Sequence, residues 1–149
     1  MELNKLFWIV LAFFSGAFLP IQAALNTKLS KAGGSPIHAS MISFIIGSAA
    51  LVLYIYITKQ SVSWEGLRTA PAYAWIGGIL GAFYVTVIIL AFPKLGPGFT
   101  FSLVVAGQLL FSVLLENFSI LDSPQHPVSL LRIAGVVLII AGVILIRKF

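Results

Sequence analysis

Five long stretches without a single formal charge dominate this chain of 149 residues. They cover residues 6–27, 32–58, 69–93, 95–115 and 133–146, and the short segments between them hold nearly every charged side chain. Only 9% of the residues are charged, whereas 60% are hydrophobic. An apolar run of about 18 or more residues crosses the hydrocarbon core of a bilayer as an α-helix. The chain is therefore predicted to be an integral membrane protein with almost no water-soluble part.

The predicted fold is an all-α membrane protein with a single transmembrane domain over residues 1–149. Its five spans are expected at about residues 6–26, 37–58, 72–92, 99–118 and 128–146. Pro20 removes a backbone donor from the first span and predicts a kink there. The fifth span is the shortest, because its charge-free part lies between Arg132 and Arg147. Arg132 is therefore expected to extend its long side chain to the membrane interface.

The basic residues are divided almost equally between the two sides of the membrane. Five spans place the termini on opposite sides, so one side receives Lys5, Lys59, Arg68 and Arg132, and the other receives Lys28, Lys31, Lys94, Arg147 and Lys148. Orientation normally follows an excess of Lys and Arg in cytoplasmic loops. Near balance favours insertion in both orientations, which gives copies that pair antiparallel. The alternative is a fixed topology with the C-terminus inside, set by the last two basic residues.

Three polar side chains in the first predicted span share one stripe of the helix. Ser15, Gln22 and Asn26 are separated by seven and four residues, which places them on the same face. Polar side chains in hydrocarbon usually face the bundle or a cavity. One interpretation is that Gln22 and Asn26 bind a polar group of a ligand beside the kink at Pro20. The other is that the amides bridge helices, with Asn26 capping the helix near its end.

A second polar stripe lies on the fourth predicted span, where Gln108, Ser112 and Glu116 follow one another at intervals of four residues. Glu116 is the one acidic residue that could lie inside a span. A carboxylate there could bind a cation or a coupling proton. Alternatively, Glu116 forms a structural ion pair with Arg132, because the hairpin between spans four and five returns both residues to the same side.

Small residues recur at helical spacing in the second, third and fifth spans and predict close helix packing in lipid. This packing set comprises Ser43, Gly47, Gly77, Gly81, Gly135 and Gly142. Tyr84, close to the glycines of the third span, is expected to edge a cavity.

This sequence lacks the residue patterns that several classes of function require. Neither His38 nor His126 has a partner at metal-ligand spacing, and cysteine is absent. The chain shows no Gly-rich phosphate loop and no paired carboxylates for hydrolysis. We therefore expect no metal, no cofactor and no enzymatic activity. The net charge of +5 comes mostly from span ends, where basic residues anchor helices at lipid headgroups, so nucleic acid is not an expected partner.

Four motifs occur in order along the chain. A G-x-x-x-P-x-Q-x-x-x-N-x-x-L pattern begins at Gly16, S-F-x-x-G begins at Ser43, A-G-Q-L-x-x-S begins at Ala106, and R-x-x-G-x-x-x-x-x-x-G begins at Arg132. This ordered set covers essentially the whole chain. It resembles the YdcZ-type branch of the bacterial drug/metabolite transporter superfamily.

The resemblance implies a five-helix single repeat in the bacterial inner (plasma) membrane. Larger relatives carry two such repeats in inverted orientation, and small multidrug-resistance relatives work as antiparallel dimers. The implied function is small-molecule transport by alternating access in a dual-topology homodimer, with the site between inverted copies. The residues expected to line the path are Ser15, Gln22, Asn26, Tyr84, Gln108 and Ser112.

One departure from that pattern affects the expected substrate. Small multidrug-resistance proteins use a glutamate in the first helix, whereas the first span here contains no acidic residue. A neutral or zwitterionic substrate is therefore expected rather than a cationic drug. Two alternatives remain open at this point. The protein could flip a lipid or lipid-linked amphiphile, or it could be a non-transporting partner subunit of another membrane protein.

Overall fold

The computed structural model describes residues 2–149, without the side chains of residues 2, 3 and 122. This part of the chain is helical and contains no strand. Its α-helices are α1 (Glu2–Gly33), α2 (Pro36–Thr58), α3 (Trp64–Thr69), α4 (Gly77–Leu95), α5 (Pro97–Asn117) and α6 (Leu130–Lys148). A 3₁₀ segment, Ala72–Ile76, leads into α4, and another, Ile120–Asp122, follows α5. Five helices are long and apolar enough to cross a membrane, which confirms the predicted all-α chain with five spans.

The first helix continues well past the predicted end of the first span. It includes Lys28 and Lys31 and ends at Gly33, because charged side chains mark the edge of the hydrocarbon and do not stop a helix. It also continues through Pro20, and the kink expected there stays a prediction. Gly34 follows with a φ of 69°, a left-handed conformation that favours glycine.

The start of α2 is fixed by two local signals. Ser35 caps the helix, since its side-chain oxygen accepts a hydrogen bond from the His38 backbone N–H at 3.3 Å. Pro36 occupies the first helical position, where its missing N–H has no cost. A left-handed glycine followed by a proline also separates α4 from α5, although no side chain caps α5. Gly96 has a φ of 79° and Pro97 opens α5.

The segment between α5 and α6 is held by the last turn of α5. The Asn117 side-chain oxygen accepts a hydrogen bond from the Val128 N–H at 3.0 Å. The Glu116 carbonyl accepts one from the His126 N–H at 3.1 Å. Ser129 then caps α6, which begins at Leu130, two residues after the predicted start of the fifth span.

The chain forms two compact units, of which the first ends at Lys94 and the second is Leu95–Phe149. In the first unit α1 packs against α2, and in the second α5 packs against α6. Few apolar side chains are buried in either unit, and most large ones are exposed. Exposed apolar surface on spanning helices suits contact with lipid. That all five spans form one domain stays a prediction.

Candidate functional site

The α1–α2 groove, between α1 and α2, is a cleft of about 540 Å³ in the first unit. The residues that α1 contributes recur at helical spacing, so a single face of α1 supplies most of the lining. Five apolar and three polar side chains form it: Phe18, Ile21, Leu25, Leu29 and Ile46, with Gln22, Asn26 and Ser43. The structure thus brings two of the predicted site residues, Gln22 and Asn26, to the same groove.

Asn26 is the buried polar residue of this groove. It is only 7% exposed, and its Nδ2 atom has no hydrogen-bond partner. An unsatisfied buried donor costs about 1–3 kcal/mol. The adjacent Thr27 is equally buried, and its Oγ1 atom also lacks a partner. A molecule that accepts a hydrogen bond from Asn26 would remove part of this cost.

The remaining polar residues of the predicted stripe lie in different surroundings. Gln22 is exposed and Ser43 is half-buried, so the polar groups of the groove range from its open side to its buried side. Ser15 does not line the groove. Its hydroxyl donates to the Ala12 carbonyl of the same helix at 2.8 Å. Of the three polar residues that share this face by spacing, Gln22 and Asn26 line the groove and Ser15 does not.

A second cleft of about 490 Å³ lies between α2 and α4 in the same unit. Thr86 and Ser40 meet there. The Thr86 hydroxyl lies 2.9 Å from Ser40 Oγ and 2.8 Å from the Ala82 carbonyl of its own helix, so its one proton is shared between these two acceptors. Ser40 in turn donates to the Pro36 carbonyl at 3.0 Å. Spacing and composition do not single out Thr86, because a threonine hydroxyl in a helix is readily satisfied by its own backbone. Tyr84 is half-buried on α4 but does not line this cleft.

The other two predicted path residues belong to the second unit. Gln108 and Ser112 are both exposed on α5. Their four-residue spacing keeps them on one face of that helix. Their contact with substrate stays a prediction.

The Glu116–Arg132 ion pair joins the end of α5 to the first turn of α6. Arg132 Nη1 lies 2.7 Å from Glu116 Oε2, and both side chains are about one-third exposed, at 34% and 33%. The same guanidinium nitrogen donates to the His126 carbonyl at 3.3 Å. The predicted contact between these two side chains is present, and it connects both helices to the segment between them. The binding of a cation or a coupling proton by Glu116 stays a prediction.

The predicted packing residues differ in what surrounds them. A Cβ atom at Gly81 would lie 3.4 Å from the Phe44 ring, so this glycine faces a side chain of α2 at ordinary contact distance. A Cβ atom at Gly47, Gly77, Gly135 or Gly142 would meet nothing within 4 Å. These four glycines lie on open surface of the described chain, and their packing role stays a prediction that requires a further neighbour.

No cluster of three or more His, Cys, Asp or Glu side chains that could hold a metal ion occurs among the residues that the structure describes. The grooves instead offer amides, hydroxyls and apolar walls. Such surfaces can bind and orient a small molecule by hydrogen bonding and burial.

Comparison with known proteins gives a consistent result over almost the full length. The family described as "Putative inner membrane exporter, YdcZ" matches residues 7–145. Inner membrane protein YdcZ of Escherichia coli (strain K12) is 25% identical over an alignment of 148 residues in length, and the alignment covers 94% of this chain and 95% of that relative. No solved structure matches the chain.

Proposed function

Since this chain belongs to the YdcZ family of inner-membrane proteins, we propose that it exports a small neutral or zwitterionic molecule by alternating access, as an antiparallel homodimer. It is a multi-pass protein of the inner membrane. The observation that supports the proposal most is the unpartnered Asn26 amide in the α1–α2 groove. The Nδ2 atom of Asn26 is closed to solvent in this structure, so a ligand reaches it only when the helices around it move, as alternating access requires.

The chemistry of the groove narrows the substrate class. Asn26 offers a hydrogen-bond donor, and Gln22 adds an amide that both donates and accepts. The matching groups on a substrate are carbonyl, hydroxyl or carboxylate oxygens. The groove has no acidic side chain to attract a cation, and its apolar walls favour a substrate with an apolar part. Its volume of about 540 Å³ lies in the usual range for small-molecule sites.

The homodimer is supported by the balance of basic residues across the five spans, four against five. Orientation follows the Lys and Arg bias of the loops, so near balance allows both orientations in one membrane. Two oppositely oriented copies reproduce the inverted repeats that form a midplane site in larger transporters. Rocking of one copy against the other would expose that site to each side in turn.

Transport is tested with the full chain reconstituted in liposomes that contain a zwitterionic amino acid, a neutral sugar or a quaternary ammonium dye. The proposal expects flux of a neutral or zwitterionic probe that Asn26→Ala lowers at least tenfold. Ser15→Ala, on the same helix but outside the groove, is the matched control and should keep its flux. Dye flux without flux of the other probes contradicts the substrate class. Translocation of a fluorescent phospholipid alone indicates a flippase, and no flux of any kind indicates a partner subunit.

Topology is tested separately with a single introduced cysteine. The chain has no cysteine, so Ser61→Cys, in the segment between α2 and α3, places the one thiol on one side of each copy. A membrane-impermeant maleimide added to whole cells should label about half of the molecules if both orientations insert. Complete labelling, or none before lysis, would contradict dual insertion.

A further inference from the structure

The α5–α6 groove is a cleft of about 250 Å³ between α5 and α6 in the second unit. All but one of its lining side chains are apolar: Phe99, Leu103, Ala106, Ile140, Val143 and Ile144, with Arg147 as the exception. Leu103, Ile140 and Ile144 are each more than 40% exposed. On spanning helices this open apolar surface faces hydrocarbon.

Arg147 places a positive charge at one end of the α5–α6 groove. It lies in the last turn of α6, with its guanidinium carbon 5.6 Å from the centroid of the Phe99 ring. This geometry is a cation–π contact, which holds the guanidinium above the groove. Lys148 adds a second cation beside it.

The charge of Arg147 has no carboxylate partner among the residues that the structure describes. Glu116 is a described carboxylate of the second unit, but it pairs with Arg132 and not with Arg147. That pair joins the end of α5 to the start of α6, whereas Arg147 is near the end of α6. One end of this helix pair therefore carries an ion pair, and the other carries Arg147 and Lys148, for which the described side chains provide no carboxylate at ion-pair distance.

We propose that the α5–α6 groove binds an anionic phospholipid. Part of an acyl chain lies along the apolar walls, since Phe99 and Ala106 are separated by about 10 Å of helix axis. The lipid phosphate meets the Arg147 guanidinium, whose planar set of donors matches phosphate oxygens. Charge complementarity selects an anionic headgroup over a zwitterionic one, because two basic residues lie at this end of the groove. The proposal is independent of the proposed transport activity.

Lipid retention by the purified full chain in detergent tests the proposal. Phosphatidylglycerol or phosphatidylcholine is added at equal concentration, and bound lipid is counted by native mass spectrometry. Wild type should retain phosphatidylglycerol preferentially. Arg147→Gln should lower that retention about fivefold, the effect of one basic residue near an anionic headgroup, and leave phosphatidylcholine unchanged. Arg147→Lys keeps the charge but not the planar donors, so it should retain more phosphatidylglycerol than Arg147→Gln and less than wild type.

Two further variants separate a built site from general charge and from a protein neighbour. Arg68→Gln on α3 removes the same charge at a residue that does not line the groove and should leave retention unchanged. Ala106→Phe fills the groove and should lower retention of phosphatidylglycerol. Equal loss in Arg68→Gln and Arg147→Gln overturns the proposal. A groove covered by a second copy also overturns it, and would appear as loss of dimer in Ala106→Phe with unchanged lipid binding.

Folding is checked on the same samples. Arg147 is exposed in the last turn of α6, so its substitution should leave the thermal unfolding midpoint within a few degrees of wild type. If Ala106→Phe does not fold, the contrast among Arg147→Gln, Arg147→Lys and Arg68→Gln still decides the outcome.

Discussion

The α1–α2 groove and the α5–α6 groove are both clefts between two spanning helices, but they carry their polar groups at different places. Asn26 is only 7% exposed, although it lies at the end of the predicted first span. Arg147 is exposed, one residue before the end of α6. A buried polar group must be matched by a neighbour or a ligand, whereas an exposed cation at a helix end reaches the headgroups. The same architecture can thus serve substrate binding in one unit and lipid binding in the other.

The sharpest test of this comparison is Asn26→Leu. The substitution removes the unsatisfied donor and introduces an apolar side chain of similar size. We expect transport of the neutral or zwitterionic probe to fall more than tenfold, while the thermal unfolding midpoint rises, because loss of an unsatisfied buried donor stabilises the fold by about 1 kcal/mol. Activity and stability would then change in opposite directions, as measured by liposome flux and thermal unfolding.

A parallel loss of activity and stability in Asn26→Leu would contradict the ligand interpretation. It would show that the amide bridges helices in the assembled protein. Ser15→Ala is the control, because the Ser15 hydroxyl is already satisfied by the Ala12 carbonyl of its own helix. It should change neither measurement.

The second unit is expected to depend on the Glu116–Arg132 ion pair for local stability. Glu116→Gln leaves Arg132 without its carboxylate and should lower the free energy of unfolding by about 1 kcal/mol, since both side chains are partly exposed to screening. The double variant Glu116→Arg, Arg132→Glu should be more stable than the summed effects of Glu116→Arg and Arg132→Glu predict. Thermal unfolding of these two single variants and of the double variant measures the difference. A double variant as unstable as the sum of the two would show that the attraction between the charges contributes little.

The contact between Thr86 and Ser40 gives a smaller expected effect in the first unit. Thr86→Val keeps the shape of the side chain and removes the hydroxyl, which lies 2.9 Å from Ser40 Oγ and 2.8 Å from the Ala82 carbonyl. Hydrogen bonds between spanning helices contribute about 0.6 kcal/mol on average, so the unfolding midpoint should fall slightly. Thr58→Val is a matched control, because the Thr58 hydroxyl donates only within α2, to the Tyr54 carbonyl. Equal shifts in both variants would contradict a specific role for the contact between α2 and α4.

The sequence was most informative about the solvent around the chain. Charge-free stretches predicted the five spans because lipid excludes charge, and the hairpin geometry of spans four and five predicted the Glu116–Arg132 pair. Helix ends were less predictable, because Lys28 and Lys31 mark the hydrocarbon edge while α1 continues to Gly33. A charge limits a span and does not terminate a helix.

The candidate site was only partly predictable from spacing. Helical periodicity puts Ser15, Gln22 and Asn26 on one face, but it does not say how far a neighbouring helix follows that face. Of these three residues, only Gln22 and Asn26 line the α1–α2 groove. Thr86 was missed because threonine is satisfied by its own helix and gives no signal in the sequence. Which polar group stays unsatisfied depends on tertiary packing, and that made Asn26 stand out.

The glycines separate packing inside one unit from packing with a further neighbour. Gly81→Ala places a methyl group 3.4 Å from the Phe44 ring, an ordinary van der Waals contact, so we expect little change in the unfolding midpoint beyond the gain in helix propensity. Gly142→Ala meets nothing within 4 Å, so it should stabilise the isolated chain by up to about 1 kcal/mol. If Gly142 lies in the homodimer interface, the same variant should instead weaken the dimer. Monomer and dimer populations in detergent, measured beside thermal unfolding, distinguish the two, and a Gly142→Ala dimer as stable as wild type would exclude this glycine from the interface.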